Sequence, residues 1–140
     1  MKEKKLISPC HCINTRRAAS AVTAYYDQML APCNLSVGQF SLLWNLDTIG
    51  ESSVTKLADN VGLERSTVVR NLKPLIEGGY IKDSAQDNSR ARKLVVTAKG
   101  KAVVAKGVPL WKQAQKKIYN TLGTENTEIF RNIMATLQHI

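Results

Sequence analysis

Apolar residues recur at helical spacing along most of the chain, and one short stretch alternates instead like a pair of strands. From Ile13 to Leu30 the positions Ala18, Val22, Tyr25, Tyr26 and Met29 share a helical face, and Pro32 ends the run. Asn34-Leu35-Ser36 reads as a turn and cap before a helix through Phe40, Leu43, Trp44 and Leu46 that stops near Gly50. Ser52 or Ser53 caps the next helix, with Val54, Leu57, Ala58 and Val61 facing inward. Gly62 interrupts it, and a further helix starts at about Glu64 with Val68, Leu72, Leu75 and Ile76 on its apolar side. Pro74 deprives the late turns of one backbone donor, which predicts a kink or a loosened end, and Gly78-Gly79 closes the helix.

The alternating stretch follows. Tyr80 to Asp83 predicts one strand and Lys93 to Thr97, rich in β-branched residues, its antiparallel mate, with a polar, basic tip from Ser84 to Arg92 between them. Thr97 then caps a helix through Val103, Val104, Val108, Trp111, Ala114 and Ile118, although Gly107 and Pro109 weaken its middle. After Leu122-Gly123, Thr124 is expected to cap a last helix with Ile129, Phe130, Ile133, Met134 and Leu137 on one side. The predicted class is mainly α with a small β-hairpin wing. Residues 1–140 form one domain, 35–97 a winged helix-turn-helix module, and 10–34 with 98–140 the dimerisation helices; Met1 to about Pro9 is a basic arm. Those outer helices carry more apolar surface than the small module needs, so they are expected to cross those of a second copy in a symmetric homodimer.

Chemistry enters through the helix that begins near Glu64. Its outward positions are Arg65, Ser66, Thr67, Arg70, Asn71 and Lys73, short or forked donors suited to base edges and phosphates in a DNA major groove. An ordinary solvated helix face has a similar composition; the neighbouring hairpin and the outer helices favour double-stranded DNA. Arg90, Arg92 and Lys93 sit at or beside the hairpin tip, placed for phosphates or the minor groove. Twenty Lys and Arg against eleven Asp and Glu give a net charge of +9, which suits a polyanionic partner. With 6% aromatic residues, a single-strand stacking surface has little support. A twofold dimer would read a palindromic operator with half-sites about 34 Å apart. The competing class is a winged-helix protein-interaction adaptor without specific DNA recognition.

Catalysis finds no footing: there is no Gly-rich phosphate loop and no grouped carboxylates, and His11 and His139 lie near opposite ends, so neither enzyme activity nor a cofactor is expected. No apolar run approaches the length of a membrane span, and residence in the cytoplasm follows as an expectation. Cys10, Cys12 and Cys33 cannot all pair within one chain. Cys10-His11-Cys12 could respond to oxidants or bind a soft metal, but it is not a four-ligand zinc pattern and no metal site is expected. Cys33 reads as a packed small residue or as a bonding partner for a thiol of the second copy.

In order and spacing, the chain resembles the MarR (multiple antibiotic resistance regulator) family of winged helix-turn-helix repressors. The segments that carry the resemblance run from Tyr25 to Leu30, Leu35 to Leu43, Leu57 to Leu75, Gly79 to Ile81, and Leu94 to Gly100. The resemblance implies that Ser66, Thr67, Arg70, Asn71 and Lys73 lie on a recognition helix, with Arg90 as the wing arginine. Wings of the family commonly carry Asp-x-Arg; an ungapped match puts Asn88 at the acidic position, and Asp87 either takes over the bracing role or the salt bridge is absent. The resemblance further implies release from DNA by a small aromatic anion or by cysteine oxidation. Effector pockets in the family lie between dimer helices and winged module, which points to Tyr25 and Trp44.

Overall fold

The computed structural model describes residues 7–84 and 93–140. The chain opens with α1 (His11–Leu30) and a short 3-10 turn (Ala31–Cys33) where Pro32 stops the α-helix. Asn34 takes the left-handed backbone region at φ 56°, which its short amide tolerates, and directs the chain into α2 (Val37–Ile49). A capping box starts α2: Gln39 N–H donates to Ser36 Oγ at 3.2 Å while Ser36 N–H donates to Gln39 Oε1 at 3.0 Å. Asp27 of α1 accepts from Val37 N–H at 2.7 Å, placing a carboxylate on the positive end of α2 and fixing the two helices together.

Next come β1 (Glu51–Ser52), α3 (Val54–Val61) and α4 (Arg65–Glu77). Ser53, rather than Ser52, caps α3, accepting from Lys56 N–H at 3.1 Å. Ser52 instead belongs to β1, a strand absent from the predicted elements because two residues show no alternation. Strands β2 (Ile81–Asp83) and β3 (Leu94–Val96) form the expected hairpin, and β1 joins it to give an antiparallel sheet of order β1-β3-β2. Ser52 lies opposite Leu94 and Ile81 opposite Val96.

Two long helices complete the chain, α5 (Ala98–Leu122) and α6 (Thr124–Leu137). Thr97 caps α5, its hydroxyl accepting from Gly100 N–H at 3.1 Å. The weak centre of α5 has a packing cause: a Cβ on Gly107 would come within 2.3 Å of the Phe40 ring, so that ring seats directly on the helix backbone. Pro109 is exposed within the same helix. Thr124 does not cap α6. Gly123 occupies the cap position at φ 82°, and the Thr124 hydroxyl, already in the first turn, hydrogen-bonds Tyr119 instead.

The core is asymmetric. Fully buried Leu30, Phe40, Leu42, Leu43, Leu46, Leu57, Val68, Leu72, Leu75, Ile81 and Leu94 concentrate between the end of α1 and β3. Only Val104, Gly107, Ala114 and the close-packed Gly100 of α5 are buried, only Tyr26 and Leu30 of α1, and no residue of α6.

Candidate nucleic-acid interface

The turn between α3 and α4 presents the polar face of α4. Gly62 adopts φ 69°, in the left-handed region that a side chain would strain, and Leu63 N–H returns to Ala58 O at 3.1 Å. This ends α3 within one residue and lets α4 start at Arg65 at a new angle. Val68, Leu72 and Leu75 pin α4 to the core. At the far end α4 runs on past Pro74 to Glu77 and closes in a Schellman arrangement. There Tyr80 N–H donates to Leu75 O at 2.9 Å and Gly79 N–H to Ile76 O at 3.0 Å.

Helical spacing divides the predicted contact residues into two groups. Ser66, Arg70 and Lys73 stack at i, i+4 and i+7 opposite the apolar seam, and they are exposed, as is Arg65. Thr67 and Asn71, expected mainly outward, lie on the flank and are half-buried. The helical periodicity overlooked Val69, which is 42% exposed beside this face although its neighbour Val68 is fully buried. Its departure from the Val68, Leu72, Leu75 spacing is the signal that could have found it; an exposed β-branched residue can meet a thymine methyl.

At the hairpin base, Lys93 is exposed. Its ammonium pairs with Glu51 at 3.9 Å, its N–H donates to Asp83 Oδ1 at 3.3 Å, and its carbonyl accepts from Ser84 N–H at 2.7 Å. Lys93 therefore helps to close the hairpin as well as lending charge. Arg90 and Arg92, with Asp87 and Asn88, lie outside the described residues.

A cleft of about 360 Å³ opens between α2 and α5, lined by Val37, Phe40, Ser41, Trp44, Asn45, Thr48 and Trp111. Trp44 meets Trp111 edge to face at 5.1 Å between ring centroids and tilts against Phe40 at 5.6 Å. Tyr25 is half-buried and is not part of this lining. Its neighbour Tyr26 is the buried tyrosine of α1; its hydroxyl donates to Gln115 on α5, and desolvation pushes its phenol up from the ordinary value.

The cysteines lie at opposite ends of α1, a 20-residue helix spanning about 30 Å. Cys10 at the N-cap and Cys12 in the first turn are exposed, on a turn ordered by paired hydrogen bonds of 2.8 Å between Ser8 and Asn14. Cys33 is buried, and burial pushes its thiol up, against an opposing pull from Lys106. Among the described residues, no three His, Cys, Asp or Glu side chains gather as a metal site, and no helix is long and apolar enough to cross a membrane.

A model of the MarR family matches residues 35–91, a range that takes in α2, β1, α3, α4 and β2. The crystal structure of the M. tuberculosis transcriptional regulator MosR in complex with DNA is 34% identical to this chain. It has a TM-score of 0.80, with 92% of this chain and 94% of that chain covered. The chain belongs to the MarR family. A second M. tuberculosis MosR structure is 32% identical, with a TM-score of 0.76 over 95% of this chain and 96% of that one. BpsR of Bordetella bronchiseptica, whose DNA binding is regulated by 6-hydroxynicotinic acid, shares the fold at 19% identity. Its TM-score is 0.84, with 98% of this chain and 99% of that one covered. As a MarR family chain it is a DNA-binding transcription regulator, not an enzyme.

Proposed function

We propose that the protein acts as a homodimeric, sequence-specific repressor that leaves its operator when a small aromatic anion or a thiol oxidant is present. The observation that carries this reading is α6: none of its residues is buried, and Ile129, Phe130, Ile133 and Leu137 stay 40–49% exposed. So much apolar area on one amphipathic helix is stabilised by a partner surface, and a second copy supplies one by symmetry. Two α4 helices then face successive turns of one duplex.

In that assembly Ser66, Arg70 and Lys73 enter the major groove, with Thr67 and Asn71 at its edge and Arg65 at the phosphates. Arg65 stands in the first turn of α4, where a positive side chain is unfavourable on its own and becomes favourable when a phosphate meets both. Arg90 reaches the minor groove, with Arg92 and Lys93 beside it on the backbone. MosR, captured with DNA, supports this docking.

The cleft of Trp44 and Trp111 suits a flat ring between α2 and α5, and the regulation of BpsR by 6-hydroxynicotinic acid supports an aromatic anion as the signal. Such a ligand releases DNA only by favouring the dimer geometry that does not fit the duplex. Cys10 and Cys12 are the accessible thiols for the oxidative route.

Selection from genomic DNA tests the reading, followed by anisotropy titration over a salt series and release assays with aromatic acids and with peroxide. The expected result is a palindromic duplex bound by two chains, with a log–log salt slope of about −0.9 per phosphate contact. Equal affinity for every duplex contradicts it and leaves an adaptor role.

A further inference from the structure

Two lysines stand at the wrong end of α5. Lys99 and Lys101 occupy its first turn, where unpaired N–H groups make the helix end positive and no acidic residue offsets them. Both ammonium groups turn away to other elements. Lys101 pairs with Asp47 on α2 at 2.7 Å. Lys99 donates to the carbonyl of Gly78, the C-cap of α4, at 2.6 Å, and lies 4.8 Å from the centroid of the Tyr80 ring. A helix C-terminus and an aromatic face both favour a cation, so Lys99 leaves an unfavourable environment on its own helix for a favourable one on its neighbour.

The backbone beneath this contact is tightly closed. Thr97 N–H donates to Tyr80 O at 3.0 Å and its hydroxyl to Gly79 O at 2.6 Å. A Cβ on Gly100 would come within 2.2 Å of Tyr80 O, so the carbonyl rests on the first turn of α5. The end of α4 and the start of α5 thus form one joint, and Lys99 is the side chain that spans it from outside. In the sequence this lysine is one of twenty Lys and Arg residues in a chain of net charge +9, with nothing to set it apart.

We propose that Lys99 is a positioning residue for α4: it fixes the angle at which Ser66, Arg70 and Lys73 meet the bases and does not itself bind phosphate. Its role presupposes that α4 is the recognition helix. Because α5 is also among the helices proposed to meet the second copy, the joint lies where a shift of the dimer helices reaches the reading face.

The test compares the wild-type chain, Lys99→Met and Lys99→Arg on a duplex selected from genomic DNA and on a scrambled duplex of equal length and composition. Anisotropy across a salt series gives both affinities and both slopes, and circular dichroism gives the folded fraction. Lys99→Met is expected to weaken selected-duplex binding about tenfold, comparable to one mismatched base pair. Scrambled-duplex affinity and both salt slopes stay unchanged, and Lys99→Arg restores most of the loss. An equal loss on both duplexes with the slope shallower by about 0.9 makes Lys99 a phosphate contact and overturns the proposal. So does unchanged affinity, or a loss on both duplexes that tracks the folded fraction. A wild-type chain that binds both duplexes alike overturns the reading of α4 itself; a wild-type preference that Lys99→Met retains overturns only the role of Lys99.

Discussion

The winged module and the helices that flank it are built from similar proportions of apolar residues, yet only the module closes over them. Between α2 and β3, Phe40, Leu42, Leu43, Leu46, Leu57, Leu72 and Leu75 have essentially no solvent exposure. Along α1, the late turns of α5 and α6, by contrast, Ile13, Val22, Tyr119, Ile129 and Ile133 remain 38–49% exposed. The module is a finished structure, and under the proposed assembly the outer helices are half of one. The difference separates two proposed roles: the closed part holds the donors of α4 in place, while the open part would set how two such parts are spaced.

That contrast predicts where substitutions act. Leu46→Ala, deep in the closed part, lowers unfolding stability by about 2–5 kcal/mol, read from urea denaturation. Ile133→Asp, on the open face, leaves the helical circular dichroism spectrum intact but separates the copies and weakens operator binding roughly 100-fold through lost bivalency. Should Ile133→Asp instead unfold the chain, the outer helices belong to the same core and the division into two parts fails. Arg70→Ala, on the proposed reading face, is expected to reduce operator affinity by about 1–3 kcal/mol without altering self-association, as measured by sedimentation.

Smaller effects sharpen the boundary between the parts. Ser53→Ala removes the cap of α3 and costs about 1 kcal/mol of stability. Cys33 lies where the end of α1 meets α5, and its raised thiol pKa means that the folded state holds the proton more tightly than the unfolded one. Its contribution is fully present below the ordinary thiol value of about 8.5 and is lost as pH rises through the higher folded value. Cys33→Ala should therefore flatten the fall of stability that sets in as pH rises above the ordinary thiol value; an unchanged pH profile rejects that origin.

The same two regions differ in how much of them the sequence reveals. Elements of the module announce themselves locally, through Ser36, Ser53, Gly62 and Gly79, because caps and turns depend on neighbours in the chain. Features that depend on distant partners did not. β1 is two residues long and exists because β3 pairs with it. Gly107 looked like a weakness in α5 until the ring of Phe40 was found against its backbone. Thr124 is a local exception: it had the composition of a cap, yet its neighbour Gly123 makes the turn and the Thr124 hydroxyl bonds Tyr119. On α4, residue type suggested six outward donors, whereas 3.6-residue geometry moves Thr67 and Asn71 to the flank. Only the family resemblance pointed to Trp44 as a pocket residue, and its pairing with Trp111 needed the fold.

The central claim is that the exposed faces of α1, α5 and α6 complete one another between two copies, so that both α4 helices address a single duplex. Light scattering coupled to size exclusion, on the wild-type chain alone and with one equivalent of selected duplex, measures this directly. The account predicts a free species of twice the 15.5 kDa chain mass that adds one duplex without changing its protein count. A species of 15.5 kDa that binds the duplex one chain at a time contradicts it.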